Sequence, residues 1–272
     1  MSSGLKILNA KDDAAGTVIS ARMAVQLNGN QIAQKNVQNA SALLAPAEGN
    51  LDVVQENVSR IRDLTLQAKN GTYSDEEIDA MQDEVNERIK EINRVSYSAK
   101  YSQLQLFGDA DGLADEGATF QVGADAGVNN TITAGAELFQ SVEFSAMTGA
   151  ASFSLSKIAA GQAITYTQNG NTAPTKETGE TDFDVAIKAL DKAIDNITSR
   201  KSIIGSAGNR MDSALDTLTI QYENLSSAKS IITDADVASE ASNFTQQQIL
   251  QQVSTSLLAQ ANQAPSIALS LV

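Results

Sequence analysis

The side chains in this chain with most scope for chemistry are its carboxylates, because it has neither cysteine nor histidine. Without Cys there is no thiolate nucleophile, no disulfide framework and no Cys-based metal site. Without His the commonest general base near neutral pH is gone, and so is the commonest metal ligand. Asp109-Ala110-Asp111-Gly112 resembles the opening of a calcium loop, but Leu113 stands at the third ligand position and no Glu closes the loop. An acidic surface turn is the better reading. Asp12-Asp13 and Glu76-Glu77 are paired carboxylates at helix starts, where negative charge complements the helix dipole. They read as dipole partners rather than catalytic acids. Gly205-Ser206-Ala207-Gly208 lacks the Lys-Ser/Thr ending of a phosphate loop. The residues point away from an enzyme, and no cofactor or metal is expected.

Charge narrows the partners. Thirty-three acidic and 19 basic residues give a net charge of −14 over 272 residues. That opposes nucleic acid, whose binding rests on Lys and Arg neutralising phosphates, and it opposes anionic membranes. Met1-Ser2-Ser3-Gly4 leads into Leu5-Lys6-Ile7 without the apolar region of a cleaved signal. No apolar run approaches the about 18 residues that suggest a spanning helix, so no membrane insertion is expected.

The elements that carry these residues are mostly long helices. From about Ala14 to Ala68, apolar residues recur at steps of three and four, clearest at Ala40, Leu43, Ala47, Leu51, Val54, Val58, Ile61, Thr65 and Ala68. Pro46 predicts a bend near Ala42, one turn before it. Lys69-Asn70-Gly71-Thr72 stops the helix with residues that tolerate a left-handed backbone. Ser74 and Glu77 have capping-box spacing, and Ile78, Met81, Val85, Ile89 and Ile92 form the apolar face of a second helix. The short link predicts an antiparallel hairpin. On spacing alone, Glu56 and Arg60 read as a routine surface pair.

Composition changes after Tyr101. Residues 108–181 read as a small β-rich insertion, with strands at Thr119–Val122, Ser141–Phe144, Ser152–Leu155 and Ile164–Thr167. Helix returns at Asp182 behind a Thr181/Asp184 cap pair. Its stripe runs Phe183, Ile187, Leu190, Ile194, Ile197, Lys201, Ile204, Gly208, Met211, Leu215, Leu218, Tyr222 and Leu225. Gly205 beside Gly208 lowers helix propensity there. The last segment, from Asp234, carries no charge between Ala241 and Val272, yet holds seven Gln in that span. Pro265 is expected to break its helix.

A helix over Ala14–Ala68 would be roughly 80 Å long, whereas a compact chain of this size has a diameter of about 50 Å. The fold class expected is therefore mainly α with a β-rich insertion. Both halves of the chain form an elongated multi-helix rod domain, and a C-terminal core helix follows. The boundaries are 1–107 and 182–232 for the rod, 108–181 for the insertion and 233–272 for the last helix. The rod's heptad core is expected at Leu51, Val54, Val58, Ile61, Ile187, Leu190, Ile194, Ile197, Leu215 and Leu218. The uncharged segment suits packing of identical helices, because Gln and Asn avoid bringing like charges together. Its assembly residues would be Phe244, Leu250, Val253, Leu257 and Leu258. That segment is also expected to be partly disordered in a monomer.

Taken together these motifs resemble bacterial flagellin. The resemblance lies in Ser2-Ser3-Gly4-Leu5-Lys6-Ile7 with Ala10-Lys11-Asp12-Asp13-Ala14-Ala15-Gly16, in Arg60-Ile61-Arg62-Asp63-Leu64, and in the stretch from Gln82-Asp83-Glu84-Val85 to Ser96. It extends to Leu257-Leu258-Ala259-Gln260-Ala261-Asn262-Gln263-Ala264-Pro265. It covers both flanks and not the middle. It implies a self-assembling subunit of the flagellar filament, secreted without a cleaved signal and located outside the cell on the flagellum, serving motility. It also implies the flagellar cap, hook-junction proteins and a flagellar secretion chaperone as partners. The innate flagellin receptor is a further implied partner, contacting the matching residues Arg60, Leu64 and Glu84. Family members carry a helical arm before Ser-Ser-Gly-Leu, so an N-terminally truncated form is expected. The rival reading is a surface adhesin or glycan-binding protein acting through the insertion at Tyr166, Asn169 and Asn171. A third is a related hook-junction protein.

Overall fold

The computed structural model describes residues 4–108, 113–150, 152–162 and 180–269, the last eight of these by backbone alone. The calcium-loop-like residues 109–112, the strand expected at 164–167 and the glycan candidates Tyr166, Asn169 and Asn171 lie outside the described residues. Four long helices dominate: α1 (Ala14–Lys69), α2 (Asp75–Ser98), α6 (Asp182–Thr233) and α7 (Val237–Leu269). Between α2 and α6 lie β1 (Lys100–Tyr101), β2 (Leu104–Gln105), α3 (Leu113–Glu116), β3 (Ala118–Gln121), β4 (Thr131–Ala134), α4 (Phe144–Thr148) and α5 (Leu155–Ala159).

The chain divides into two compact units, Met1–Asn30 with Ile220–Val272, and Gln31–Thr219. The second unit is a packed set of helices carrying the insertion. The expected α1 stripe from Ala40 to Ala68 is buried at every position. Ion pairs and hydrogen bonds set its alignment with α6: Gln34 with Thr219, Asp52 with Lys201, Arg62 with Asp191 and Lys69 with Asp184. As α1 numbers climb from 34 to 69, the α6 numbers fall from 219 to 184 in step, so the helices are antiparallel in one register. Asn57 with Arg88 and Arg60 with Glu84 align α1 antiparallel to α2 in the same way, giving the expected hairpin.

Local chemistry sets the helix starts. Ser74 and Glu77 form the reciprocal capping box. Thr181 Oγ1 accepts from the Asp184 N–H, while the Asp184 carboxylate accepts from the Thr181 N–H at 3.0 Å. Asp13 accepts from the Ala15 N–H at 3.0 Å, and Asp12 accepts from the N–H groups of Leu8 and Asn9.

Several expectations are corrected. Helix α7 runs through Pro265 to Leu269 rather than breaking there, while α1 continues through Pro46 as one helix, as expected. Proline already has a helical φ, and the hydrogen bond lost is one among many in α1 and close to the free last turn in α7. The end of α1 is not left-handed, since neither Asn70 nor Gly71 has a positive φ. Instead the Asn70 N–H donates to Gln67 O at 3.1 Å and the Thr72 N–H to Asn70 O at 2.6 Å. The strand expected at 119–122 is β3, paired antiparallel with β4, which the alternation did not pick out. Gly117 leads into β3 at φ +74°, where a Cβ would lie 2.4 Å from Ala134 O, so only glycine fits. Ser141–Phe144 and Ser152–Leu155 are not strands; they lead into helices α4 and α5.

The first unit is simpler. Leu5 forms a bridge with Asp234, the Lys6 N–H donates to Thr233 O at 2.7 Å, and the Ala235 N–H to Gly4 O at 2.9 Å. The N-terminal segment thus fastens the junction of α6 and α7.

Candidate functional site

Among the described residues no cluster of acidic side chains could hold a metal, and no helix is long and apolar enough to cross a membrane. What the structure offers is surfaces.

The first is on α1 and α2. Arg60 donates to Glu84 through Nε to Oε1 at 2.8 Å and Nη2 to Oε2 at 3.1 Å, a bidentate pair with directional strength. Arg88 adds a bond to the same carboxylate at 3.3 Å and reaches Asn57 Oδ1 at 3.1 Å. The bond to Arg60 is the leading cause that holds the Glu84 carboxyl below its usual range. Arg60 therefore does not make the surface pair with Glu56 read from spacing; its carboxylate comes from the next helix. Of the three residues carried over from the resemblance, Arg60 and Glu84 meet at the surface. Leu64, one turn along, is only 2% exposed. It packs in the core beneath this surface and offers no side chain to a partner in this state.

The second surface is α7. Every described side chain from Val237 to Ala261 is exposed, and Phe244, Leu250, Val253, Leu257 and Leu258 are each about half exposed or more. A helix with uncovered apolar residues and no charge after Glu240 is a face in want of a partner.

The rod's heptad core is covered to different depths. Leu51, Val54, Val58, Ile61, Leu190, Ile197 and Leu218 are buried, while Ile187, Ile194 and Leu215 are partly buried. Alanines at 186, 189, 193 and 207 complete the packed face of α6.

A third set of residues was not anticipated. Gln82 on α2 accepts from the Leu155 N–H at 2.5 Å and donates to Phe153 O at 3.3 Å. Asn93 on α2 accepts from the Phe144 N–H at 3.1 Å. Arg200 on α6 donates to Gln140 O at 2.8 Å, and Asn36 on α1 donates to Gln121 O at 3.3 Å. All four grip backbone atoms of the insertion, so the grip is indifferent to the side chains there. Burial brings the Arg200 guanidinium down to about 10, still a cation at neutral pH. A signal exists in the sequence: Gln82 lies on the α2 stripe between Ile78 and Val85, and Arg200 on the α6 stripe between Ile197 and Ile204. A polar residue on an apolar face must find a partner.

Comparison with known proteins follows the same outline. Residues 1–111 match the bacterial flagellin N-terminal helical region, and residues 187–272 the bacterial flagellin C-terminal helical region. The chain is 33% identical to the flagellar filament 30.7 kDa core protein of Treponema maltophilum, over 96% of this chain and 86% of that protein. It is 32% identical to flagellin of Bacillus subtilis (strain 168), over 100% of this chain and 90% of that one. Among solved structures, a Vibrio parahaemolyticus chain assigned as a flagellar hook-associated protein superposes with TM-score 0.59 at 14% identity. The match covers 81% of this chain and 99% of that chain, a likeness of fold.

Proposed function

The chain belongs to the bacterial flagellin family, and we propose on that premise how its surfaces divide the work of a filament subunit. The family makes this chain a structural subunit of the bacterial flagellar filament, a polymer of its own kind and a surface structure of the cell. Residues 1–107 and 182–232 serve as the helical rod domain, 108–181 as the outer domain and 233–272 as the helix of the filament core. The single observation that carries this reading is α7, charge-free after Glu240, with its described apolar side chains exposed. Phe244, Leu250, Val253, Leu257 and Leu258 pack against the same helix of neighbouring copies. Before assembly the same face is the surface a flagellar secretion chaperone covers, and the chain is secreted. The cap and hook-junction proteins meet the ends of the polymer. The bidentate Arg60–Glu84 pair supplies the exposed part of the surface read by the innate flagellin receptor, with Leu64 supporting it from beneath. The chemistry is that of contact rather than catalysis.

The test is electron microscopy under salting-out conditions of the chain carrying a flagellin-type N-terminal helical arm, compared with the same chain bearing Leu250→Lys/Leu257→Lys. Filaments from the parent and none from the variant are expected, with both giving the same helical circular dichroism. Filaments from both would remove α7 from the assembly surface. Nothing in the comparisons supports the adhesin reading.

A further inference from the structure

Asn-Gly pairs occur at Asn28-Gly29, Asn70-Gly71 and Asn169-Gly170, the last outside the described residues. In such a pair the glycine nitrogen can attack the asparagine side-chain carbonyl carbon, because no side chain on the glycine obstructs the approach. Two local conditions decide whether it does. The nitrogen must be free of a hydrogen bond, and the backbone must be able to turn it towards Cγ.

Asn28 fails both. It sits inside α1, where the Gly29 N–H belongs to the helical ladder, and turning it would break the helix. Asn70 meets both. It is the first residue past the end of α1, and Asn70, Gly71 and Thr72 are all exposed. Among the described residues neither the Gly71 N–H nor the Asn70 side-chain amide has a hydrogen-bond partner. Nor does the fold require glycine at 71. Its φ is not positive, and a Cβ there would meet nothing within 4 Å.

We propose that Asn70-Gly71 is a site of spontaneous deamidation, a covalent self-modification of the turn between α1 and α2. The Gly71 nitrogen gives its proton to hydroxide and bonds to Asn70 Cγ. The bond from Cγ to the side-chain nitrogen breaks, and that nitrogen takes up a proton and leaves as ammonia. The product is a five-membered succinimide. Water then opens the ring at either carbonyl. Cleavage between Cγ and the Gly71 nitrogen restores the main chain with aspartate at 70. Cleavage between the Asn70 backbone carbonyl carbon and that nitrogen leaves an iso-aspartyl link through the side chain. Nothing is oxidised or reduced, and water is the only co-reactant. Either product adds a negative charge at the end of α1, where the terminal carbonyls are already partly negative. It also stands beside Lys69, whose ammonium pairs with Asp184 at the start of α6. The new carboxylate competes for that cation and loosens the tie between α1 and α6.

The test is incubation of the full chain in mildly alkaline buffer, with peptide mass spectrometry and enzymatic iso-aspartyl methylation as readouts. A Gly71→Ala variant and the parent chain in denaturant run alongside. The expected result is modification at Asn70 with Asn28 intact, loss of the Asn70 signal in Gly71→Ala with unchanged circular dichroism, and reaction at both sites in denaturant. The proposal is overturned if Asn28 reacts as fast as Asn70 in the folded chain. It is equally overturned if Gly71→Ala leaves the rate at Asn70 unchanged, or if folded Asn70 stays intact while the denatured chain is modified.

Discussion

At the scale of single residues, the long-range ion pairs make stability depend on acid. Lys69, then Thr181, hold the Asp184 carboxyl well below its usual range, and Arg60 lowers that of Glu84. Both groups therefore have folded values below their unfolded ones. Their contribution is complete above the ordinary carboxylate range of about 4 and is lost as pH falls through the folded values. Each pair is partly exposed and screened by solvent, so the effect is modest. A Glu84→Gln/Asp184→Asn variant should be less stable than the parent at neutral pH and lose less on acidification. Urea midpoints stepped down from neutral pH would show it, and parallel acid profiles would place the sensitivity on other carboxylates. The identity of these partners was not legible from neighbours in sequence. Glu56 stands one turn from Arg60, yet Glu84 takes it, because packing of α2 against α1 presents that carboxylate at bidentate distance.

At the scale of elements, the long helices were plain in the sequence and the short ones were not. Steps of three and four sustained over many turns leave one face to bury, and α1, α2 and α6 bury it. Segments 141–144 and 152–155 are too short for alternation to decide between strand and helix start. Their N–H groups at Phe144 and Leu155 are taken by Asn93 and Gln82, side chains far away in the chain. Phe144 and Phe153 then pack edge to face, with ring centroids 5.5 Å apart. Helix α6 also carries an avoidable weakness at Gly205, exposed and with open space where a Cβ would go. Gly205→Ala should stabilise the monomer by about 0.4–1 kcal/mol, since alanine loses less backbone freedom on folding. Thermal and urea unfolding of the monomer would measure it. A destabilised variant would mean that the bare backbone at 205 is in use within the monomer.

At the scale of the whole molecule, the uneven burial of the chain predicts uneven protection. The α1 stripe from Leu51 to Ile61 is fully covered, whereas every described side chain of α7 is exposed. An amphipathic helix without a packed face is marginal in water. Amide exchange in the monomer should therefore be fast across Phe244–Leu258 and slow across Leu51–Ile61, with the first span becoming protected in filaments. Strong protection of Phe244–Leu258 in the monomer would show that α7 is stable without a partner. By itself the sequence determined the long helices, their caps, the buried stripes and the charge-free final segment, because each is written in local spacing or composition. The family was legible for the same reason, its motifs being continuous stretches at the two flanks. Only the tertiary structure decided which carboxylate faces Arg60, that Leu64 lies beneath that pair, and that Gln82, Asn93, Arg200 and Asn36 hold the insertion. Those outcomes depend on the antiparallel register of α1 with α2 and α6. It places residues far apart in the chain within hydrogen-bond reach, and no local pattern encodes that distance.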